Sequence, residues 1–333
     1  GQGQAPARQA AFKGGLPKEA GAVTLSKMCG SGMKAAMFAH DMLLAGTHDV
    51  MVAGGMESMT NAPYLLQKGR GGYRLGHDRI FDHMMLDGLE DAYEPGRSMG
   101  TFGEDCAAKY GFTRAEQDAF ATASVERAKA ATASGAFAAE ITPVTVKSRA
   151  GETVVSVDEG PGKVKLDKIA SLKPAFKKDG TITAATSSSI NDGAAALVMM
   201  RASTATKLGC KPLARIVGHA THAQEPEWFA TAPLGATQKA LAKAGWAVGD
   251  VDLWEINEAF AVVPMALMKE LNLPHDKVNV NGGACALGHP IGASGARIMV
   301  TLMYALKARG LTKGLATLCI GGGEATAVAV ELV

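Results

Sequence analysis

The chain has 333 residues, 47% of them hydrophobic, which is enough to bury large cores and excludes intrinsic disorder. Its 34 Lys and Arg residues nearly balance 32 Asp and Glu residues, so the net charge of +2 gives no reason to expect a nucleic-acid partner. No apolar run reaches the roughly 18 residues of a membrane helix, so no membrane partner is expected.

Five cysteines are present, and they form no C-x-x-C pair and no zinc-type spacing: Cys29, Cys106, Cys210, Cys285 and Cys319. Free cysteines suit a reducing compartment, so we expect a cytoplasmic protein. The chain begins without Met and could have lost a targeting signal, so the mitochondrial matrix is the alternative location. The histidines form no H-x-x-x-H motif and no histidine–carboxylate group, so no metal site is predicted. The Gly-rich turns match no nucleotide-binding fingerprint.

The first copy of an internal repeat opens the chain. It reads GLPKEAGAVTLSKMCGSGMKAAMFA and then, after a spacer, DVMVAGGMES. This pattern predicts a β-prone stretch, a Gly-rich turn, a helix and an apolar strand ending at a glycine pair. Only 16 residues precede Pro17. Compared with the second copy, roughly 45 residues are absent, so we expect an N-terminally incomplete chain.

A stretch of different character follows, from about Thr60 to Ala184. It contains a predicted helix that opens at Thr113, with Glu116 in capping-box spacing, and later a Lys-rich segment. Insertions on a symmetric scaffold often carry substrate-binding surface. This stretch is therefore the predicted source of such a surface.

The second copy is preceded by a strand (PLARIVGHATH), a helix (ATQKALAKAG), a strand (DVDLWEI) and a helix (NEAFAVVPMALMKEL). It then reads NLPHDKVNVNGGACALGHPIGASGARIMV, followed by LATLCIGGGEAT. Strands alternating with helices predict an α/β fold with sheets covered on both faces.

Two residues in the equivalent turns of the two copies are candidates for chemistry. Cys29 stands where a Gly-rich turn enters a helix, and the N-terminal end of a helix favours a thiolate. His289 lies in the matching turn of the second copy. A pseudo-twofold arrangement of the two copies would bring it near Cys29, where it could act as a base. The alternatives are a structural cysteine and a histidine that only hydrogen-bonds within its turn.

Two further candidates stand at strand ends. Cys319 ends an apolar strand before glycines whose N–H groups can stabilise an oxyanion, or it is an inert core cysteine. Asn257 follows a buried strand in W-E-I-N-E-A-F, where it has a polar role in the site or serves only as a helix N-cap.

Five motifs in register now identify a family. K-M-C-G-S-G, A-G-G-M-E-S-M, N-E-A-F, G-H-P-I-G-A-S-G and C-I-G-G-G resemble the thiolases, with flanks similar to the acetyl-CoA C-acetyltransferase branch. The resemblance implies two βαβαβαββ halves in αβαβα layers, with the opening strands of the first half missing. It places the first half at 1–60 and 184–210, a CoA-binding loop domain at 61–183, and the second half at 211–333.

The resemblance also implies the reaction, a reversible condensation of two acetyl-CoA molecules to acetoacetyl-CoA and CoA with no cofactor. Cys29 would hold the acetyl group, His289 would accept its proton, and Cys319 would take the α-proton of the second acetyl-CoA. One oxyanion pocket would be His289 with a water on Asn257. The other would be the N–H groups of Cys29 and Gly321.

Coenzyme A would lie along the loop domain against Ser188, Ala184, Phe176, Ile190 and Phe260. Lys163 is a candidate for phosphate contact, with a solvated charge run as the alternative. Ser98 and the pair Trp228-Phe229 depart from the family pattern near the acyl pocket. A broader-chain 3-ketoacyl-CoA thiolase therefore stays open. A non-catalytic acyl-CoA or lipid-binding relative is a separate alternative, against which the presence of Cys319 argues. The family further implies a homodimer or homotetramer.

Overall fold

A computed structural model describes residues 1–333. Its helices are α1 (Pro6–Lys13), α2 (Ser31–Leu44), α3 (Met99–Tyr110), α4 (Arg114–Ser134), α5 (Gly160–Lys163), α6 (Ala202–Leu208), α7 (Ala232–Ala244), α8 (Val262–Leu271), α9 (Ala284–Leu287) and α10 (Ile291–Arg309). Its strands are β1 (Val50–Glu57), β2 (Tyr64–Leu65), β3 (Phe81–Asp82), β4 (Val144–Ser148), β5 (Gly151–Val155), β6 (Gly193–Met200), β7 (Ala214–Ala223), β8 (Leu253–Ile256), β9 (Lys313–Ile320) and β10 (Glu324–Leu332). No helix has both the length and the apolar character needed to cross a membrane.

The second half of the chain, which contains the second copy of the repeat, forms a four-stranded sheet in the order β7-β10-β9-β8. Strands β8 and β9 run parallel, whereas β10 is antiparallel to both β7 and β9. Alternate residues of β10 point to opposite faces: Ala327 packs with helix α7 and Val328 packs with helix α10. The sheet is therefore covered on both faces, as the sequence predicts.

Strand β1 of the first copy forms a smaller, antiparallel sheet with β6 alone, in which Val50 lies opposite Met200. The β-prone stretch predicted before Cys29 is wrong, since residues 21–27 form no strand. A strand requires a partner to satisfy its backbone N–H and C=O groups. Strands β1 and β6 pair only with each other, so residues 21–27 form no pair with either of them. Apolar side chains on this sheet, including Val52 and Val198, are exposed.

The middle stretch contributes helices α3 and α4 and two small hairpins, β2-β3 and β4-β5. The predicted capping box is confirmed. The Thr113 hydroxyl accepts the N–H of Glu116, and the Glu116 carboxylate accepts the N–H of Thr113. The Lys-rich segment forms only the short helix α5 and a 3₁₀ turn.

Helices α2 and α10, one from each copy, touch through two glycines. A Cβ atom on Gly32 would lie 2.8 Å from the backbone nitrogen of Ala296, and one on Gly295 would lie 2.5 Å from that of Met33. Any side chain at either position would therefore separate the helices. The N-terminal ends of these helices carry the two Gly-rich turns of the repeat, so this contact brings the turns together.

Candidate active site

Cys29 stands at the entrance to helix α2, in a turn that the chain holds in a strained conformation. Met28 has a φ of +48°, which non-glycine residues rarely adopt. The Ser31 hydroxyl accepts the N–H of Lys27 at 2.9 Å and donates to the carbonyl of Met28 at 2.8 Å. These two bonds fix the turn and leave the Cys29 side chain half-buried at its apex.

The thiol of Cys29 is protonated at neutral pH. Burial raises its pKa to about 11, although the N–H groups of Gly321 and of Cys29 itself point at the sulfur and oppose the rise, and the Glu57 carboxylate adds to it. The N–H groups at the helix entrance do favour the thiolate, as the sequence predicts, but desolvation outweighs them. A nucleophilic role at this position requires a base.

This protonation state predicts how fast Cys29 is alkylated. Below a pKa of about 11 the thiolate fraction grows about tenfold per pH unit, so the rate of iodoacetamide labelling at Cys29 should climb from pH 7 to pH 9 without levelling off. Quantitative peptide mass spectrometry measures this rate. A plateau near pH 7 would mean that the thiolate is already the resting form. The exposed Cys210 serves as the reference thiol within the same protein.

His289 lies between helices α9 and α10 and is buried. Its backbone N–H donates to the carbonyl of Ser189 at 3.1 Å, and its Nδ1 lies 2.5 Å from the Ser294 hydroxyl. That hydroxyl donates its one proton to the carbonyl of Pro290. We therefore assign the ring proton to Nδ1, which donates to Ser294, and the lone pair to Nε2.

The imidazole of His289 is neutral at physiological pH. Burial lowers its pKa to about 3, and the positive charge of Arg297 contributes in the same direction. A neutral imidazole with a free Nε2 can accept a proton from a neighbouring group. Sequence reasoning missed the orienting role of Ser294, although the residue stands in the same G-H-P-I-G-A-S-G motif.

Asn257 follows strand β8 and faces the His289 ring, with its Nδ2 atom 3.5 Å from both ring nitrogens. The helix N-cap alternative is wrong, because α8 begins at Val262 and its N-cap is Ala261. The Asn257 Oδ1 atom is buried and accepts no hydrogen bond from the protein. A buried polar atom without a protein partner is typical of a position that serves a ligand or a bound water.

Cys319 is fully buried near the end of strand β9. Burial raises the pKa of its thiol well above the ordinary value, and a negative charge on the Cys29 sulfur would raise it further. The chain continues from Cys319 to Gly321, whose N–H points at the Cys29 sulfur. The end of β9 thus lies directly against the Cys29 turn.

The turn of the second copy reaches the same place. A Cβ atom on Gly32 would lie 3.1 Å from the carbonyl of Gly292, three residues beyond His289. The N–H of Gly292 donates to the Glu57 carboxylate, which also acts on Cys29. Cys29, Gly321 and Cys319 therefore lie together at the N-terminal end of α2. The N-terminal end of α10 lies against this end of α2, with His289 and Asn257 beside it.

The residues predicted to hold coenzyme A divide into three groups. Ser188 donates both its N–H and its hydroxyl to the carbonyl of Ala259, and Phe260 packs edge-on against Phe176 with ring centroids 5.7 Å apart. These three residues line one connected surface. Exposed members of the set are Ala184 and Ile190, the latter next to the residue that anchors the His289 backbone. Lys163 is exposed and pairs with Glu159 at 3.2 Å, with no contact to this surface.

One cluster contradicts the expectation from sequence that no histidine–carboxylate group exists. His40, Asp41 and His219 meet at the far end of α2 from Cys29, with the ligand-type atoms of all three within 4.8 Å of one another. His40 and Asp41 are neighbours in sequence, but His219 lies 178 residues beyond Asp41, so only the packing of α2 against β7 reveals the cluster.

Comparison with known proteins places these motifs in context. The family model "Thiolase, N-terminal domain" matches residues 1–203, and "Thiolase, C-terminal domain" matches residues 210–332. The acetyl-CoA acetyltransferase of Chromobacterium violaceum is 52% identical over 333 residues, 99% of this chain and 85% of that protein.

Two solved structures have the same fold. The Bacillus anthracis acetyl-CoA acetyltransferase superposes with a TM-score of 0.96 at 43% identity, covering 99% of this chain and 84% of the other. A thiolase from Ascaris suum in complex with coenzyme A superposes with a TM-score of 0.93 at 41% identity, covering 100% of this chain and 85% of the other.

Proposed function

Since the chain belongs to the thiolase family, we propose that it is an acetyl-CoA acetyltransferase that condenses two acetyl-CoA molecules to acetoacetyl-CoA and free coenzyme A. One observation carries the mechanism. The N–H groups of Cys29 and Gly321 both point at the Cys29 sulfur, at the place where a carbonyl oxygen of an acetylated cysteine would need donors.

In the first half-reaction, the Cys29 thiol gives its proton to Nε2 of His289 and its sulfur attacks the carbonyl of acetyl-CoA. The tetrahedral intermediate collapses, and the departing CoA sulfur takes the proton from His289. Acetyl-Cys29 and free coenzyme A result. The high pKa of Cys29 and the low pKa of His289 keep both groups neutral at rest, so charge appears only as the sulfur attacks.

In the second half-reaction, His289 accepts the proton of Cys319, and the resulting thiolate removes the α-proton of a second acetyl-CoA. The carbanion attacks the carbonyl of acetyl-Cys29, and the Cys29 sulfur leaves and recovers its proton from His289. A thiol with a raised pKa is a strong base once ionised, which suits a weakly acidic C–H group. The protons balance over the cycle, and no cofactor enters it.

The acyl pocket favours a short chain. A Cβ atom on Gly321 would lie 3.4 Å from the methyl group of Met28 and 3.7 Å from that of Met99. Nearby, Phe229 is buried with its ring edge-on to that of Phe260. We propose that the methionine methyl groups beside Gly321 favour the acetyl group over the longer substrates of a broader-chain 3-ketoacyl-CoA thiolase.

We further propose that the surface formed by Ser188, Phe176 and Phe260 holds the pantetheine arm of coenzyme A, and that the enzyme is a homodimer or homotetramer. The exposed apolar side chains of the β1–β6 sheet, such as Val52 and Val198, support an assembled form.

Incubation of the purified chain with acetyl-CoA tests the function directly. Mass spectrometry should find one acetyl group on the peptide that contains Cys29, and chromatography should find acetoacetyl-CoA. Acetyl-CoA should also protect Cys29 from iodoacetamide. A protein that binds acetyl-CoA without acquiring the acetyl group would instead be the non-catalytic relative.

Replacement of Asn257 by alanine should lower kcat for condensation about a hundredfold, because the oxyanion pocket next to His289 loses its amide. The expected effect on KM for acetyl-CoA is small, since Asn257 acts on the transition state. Steady-state kinetics measures both. The thermal unfolding temperature is the control for folding, and an unchanged kcat would remove Asn257 from the mechanism.

A further inference from the structure

The His40–Asp41–His219 cluster joins the two halves of the chain at a place remote from Cys29. His40 and Asp41 lie in the last turns of helix α2, and His219 lies in the middle of strand β7. Nε2 of His219 is 3.2 Å from Nδ1 of His40 and 2.9 Å from Oδ1 of Asp41. The remaining pair, Nδ1 of His40 and Oδ1 of Asp41, is 3.3 Å apart.

These three separations match the edges of a tetrahedral metal site. With metal–nitrogen bonds of about 2.0–2.1 Å, neighbouring ligand atoms in a tetrahedron lie about 3.3 Å apart. A single ion could therefore contact all three atoms with little movement of the side chains. The two imidazole rings stand perpendicular to each other, with centroids 5.0 Å apart, so their nitrogen atoms approach one point without the rings colliding.

The burial of the cluster suits a site that is preorganised yet accessible. The His219 side chain is 11% exposed and that of His40 is 22% exposed, so packing restricts both rings. The Asp41 side chain is 57% exposed and opens the cluster to solvent. An ion could enter from that side and keep water as its remaining ligand.

The charges around the cluster select among cations. The positive charges of Lys34 and Lys243 interact electrostatically with Asp41 and His219 respectively. They would repel a cation that the cluster held by charge alone. Two imidazoles and one carboxylate form coordinate bonds with zinc and similar metals, whereas magnesium and calcium prefer oxygen ligands.

We propose that His40, Asp41 and His219 bind one divalent transition-metal ion of the zinc class, which clamps helix α2 of the first half of the chain to strand β7 of the second half. Because the ligands come from elements far apart in sequence, the site exists only in the folded chain. Metal binding therefore stabilises the folded state, by a free energy that grows with the logarithm of the ratio of free ion concentration to Kd.

The test uses the 333-residue chain without a tag and with the substitution Cys210→Ser, which removes the one exposed thiol that could compete for zinc. Isothermal titration calorimetry with Zn²⁺ should give one ion per chain, and the unfolding temperature should rise with added Zn²⁺. Co²⁺ should give the visible spectrum of a tetrahedral nitrogen and oxygen site, without the bands of a thiolate ligand.

His219→Ala should weaken Zn²⁺ binding about tenfold or more and abolish the thermal shift. Asp41→Asn, at an exposed side chain, should do the same in a protein whose core is untouched. The matched control is His222→Ala, on the same strand, whose ring contacts Gln224 and Lys239 outside the cluster. Absence of Zn²⁺ binding, binding that survives both cluster variants, or equal binding of Mg²⁺ would each overturn the proposal. None of these readouts depends on acetyl transfer.

Discussion

Replacing Cys29 with alanine is expected to abolish condensation of acetyl-CoA and to remove every acetyl group that the protein acquires from it. We expect kcat to fall about a thousandfold or more, because no other group can hold the acetyl intermediate between the two N–H donors of Cys29 and Gly321. Acetoacetyl-CoA formation measures the rate, and intact-protein mass spectrometry measures acetylation.

Cys210→Ser is the matched control for this experiment, since Cys210 is the exposed cysteine and should leave the rate at the parent value. Cys29→Ala tests chemistry with little risk to folding, because the Cys29 side chain is only half-buried. If Cys29→Ala kept its activity within a factor of about ten of the parent, the covalent intermediate would have to be abandoned.

Replacing Cys319 with alanine should separate the two half-reactions. Condensation is expected to fall by about a thousandfold, because the group that removes the α-proton is lost. Acetylation of Cys29 should continue at nearly the parent rate, because it depends on His289 and on the N–H donors. Mass spectrometry follows the first half-reaction, and exchange of the α-hydrogens of acetyl-CoA with deuterated water follows the second.

The control variant for Cys319 is Cys106→Ala. Both cysteines are fully buried in the same apolar core, and burial raises the pKa of the Cys106 thiol to about 12. Each substitution removes one sulfur atom from that core, so the cost in packing should be similar. If Cys319→Ala slowed both half-reactions equally, and Cys106→Ala slowed them to the same extent, the cause would be a packing defect and not the loss of a base.

Much of the fold could be predicted because its signals are local. The apolar runs and Gly-rich turns of the repeat predict helix α2, helix α10 and the strands β1 and β9. The β-prone stretch before Cys29 did not become a strand, since pairing depends on partners far away in sequence. Composition and periodicity contain no information about such partners.

The candidate site could be predicted by residue type but not by charge state. Sequence places Cys29 at a helix entrance, yet only the packing around it shows that burial outweighs the helix end and keeps the thiol protonated. The lone pair on Nε2 of His289 likewise follows from the Ser294 and Pro290 contacts. His40 and His219 lie on different elements, and no local pattern relates them.

The glycine contact between helices α2 and α10 affects how this enzyme tolerates mutation. Each helix carries one reacting group at its N-terminal end, so a methyl group on Gly32 or Gly295 would widen the gap between Cys29 and His289. Reaction rates depend steeply on such spacing. A change of acyl specificity should therefore leave this helix pair intact and act through residues outside it, such as Met99 beside Gly321.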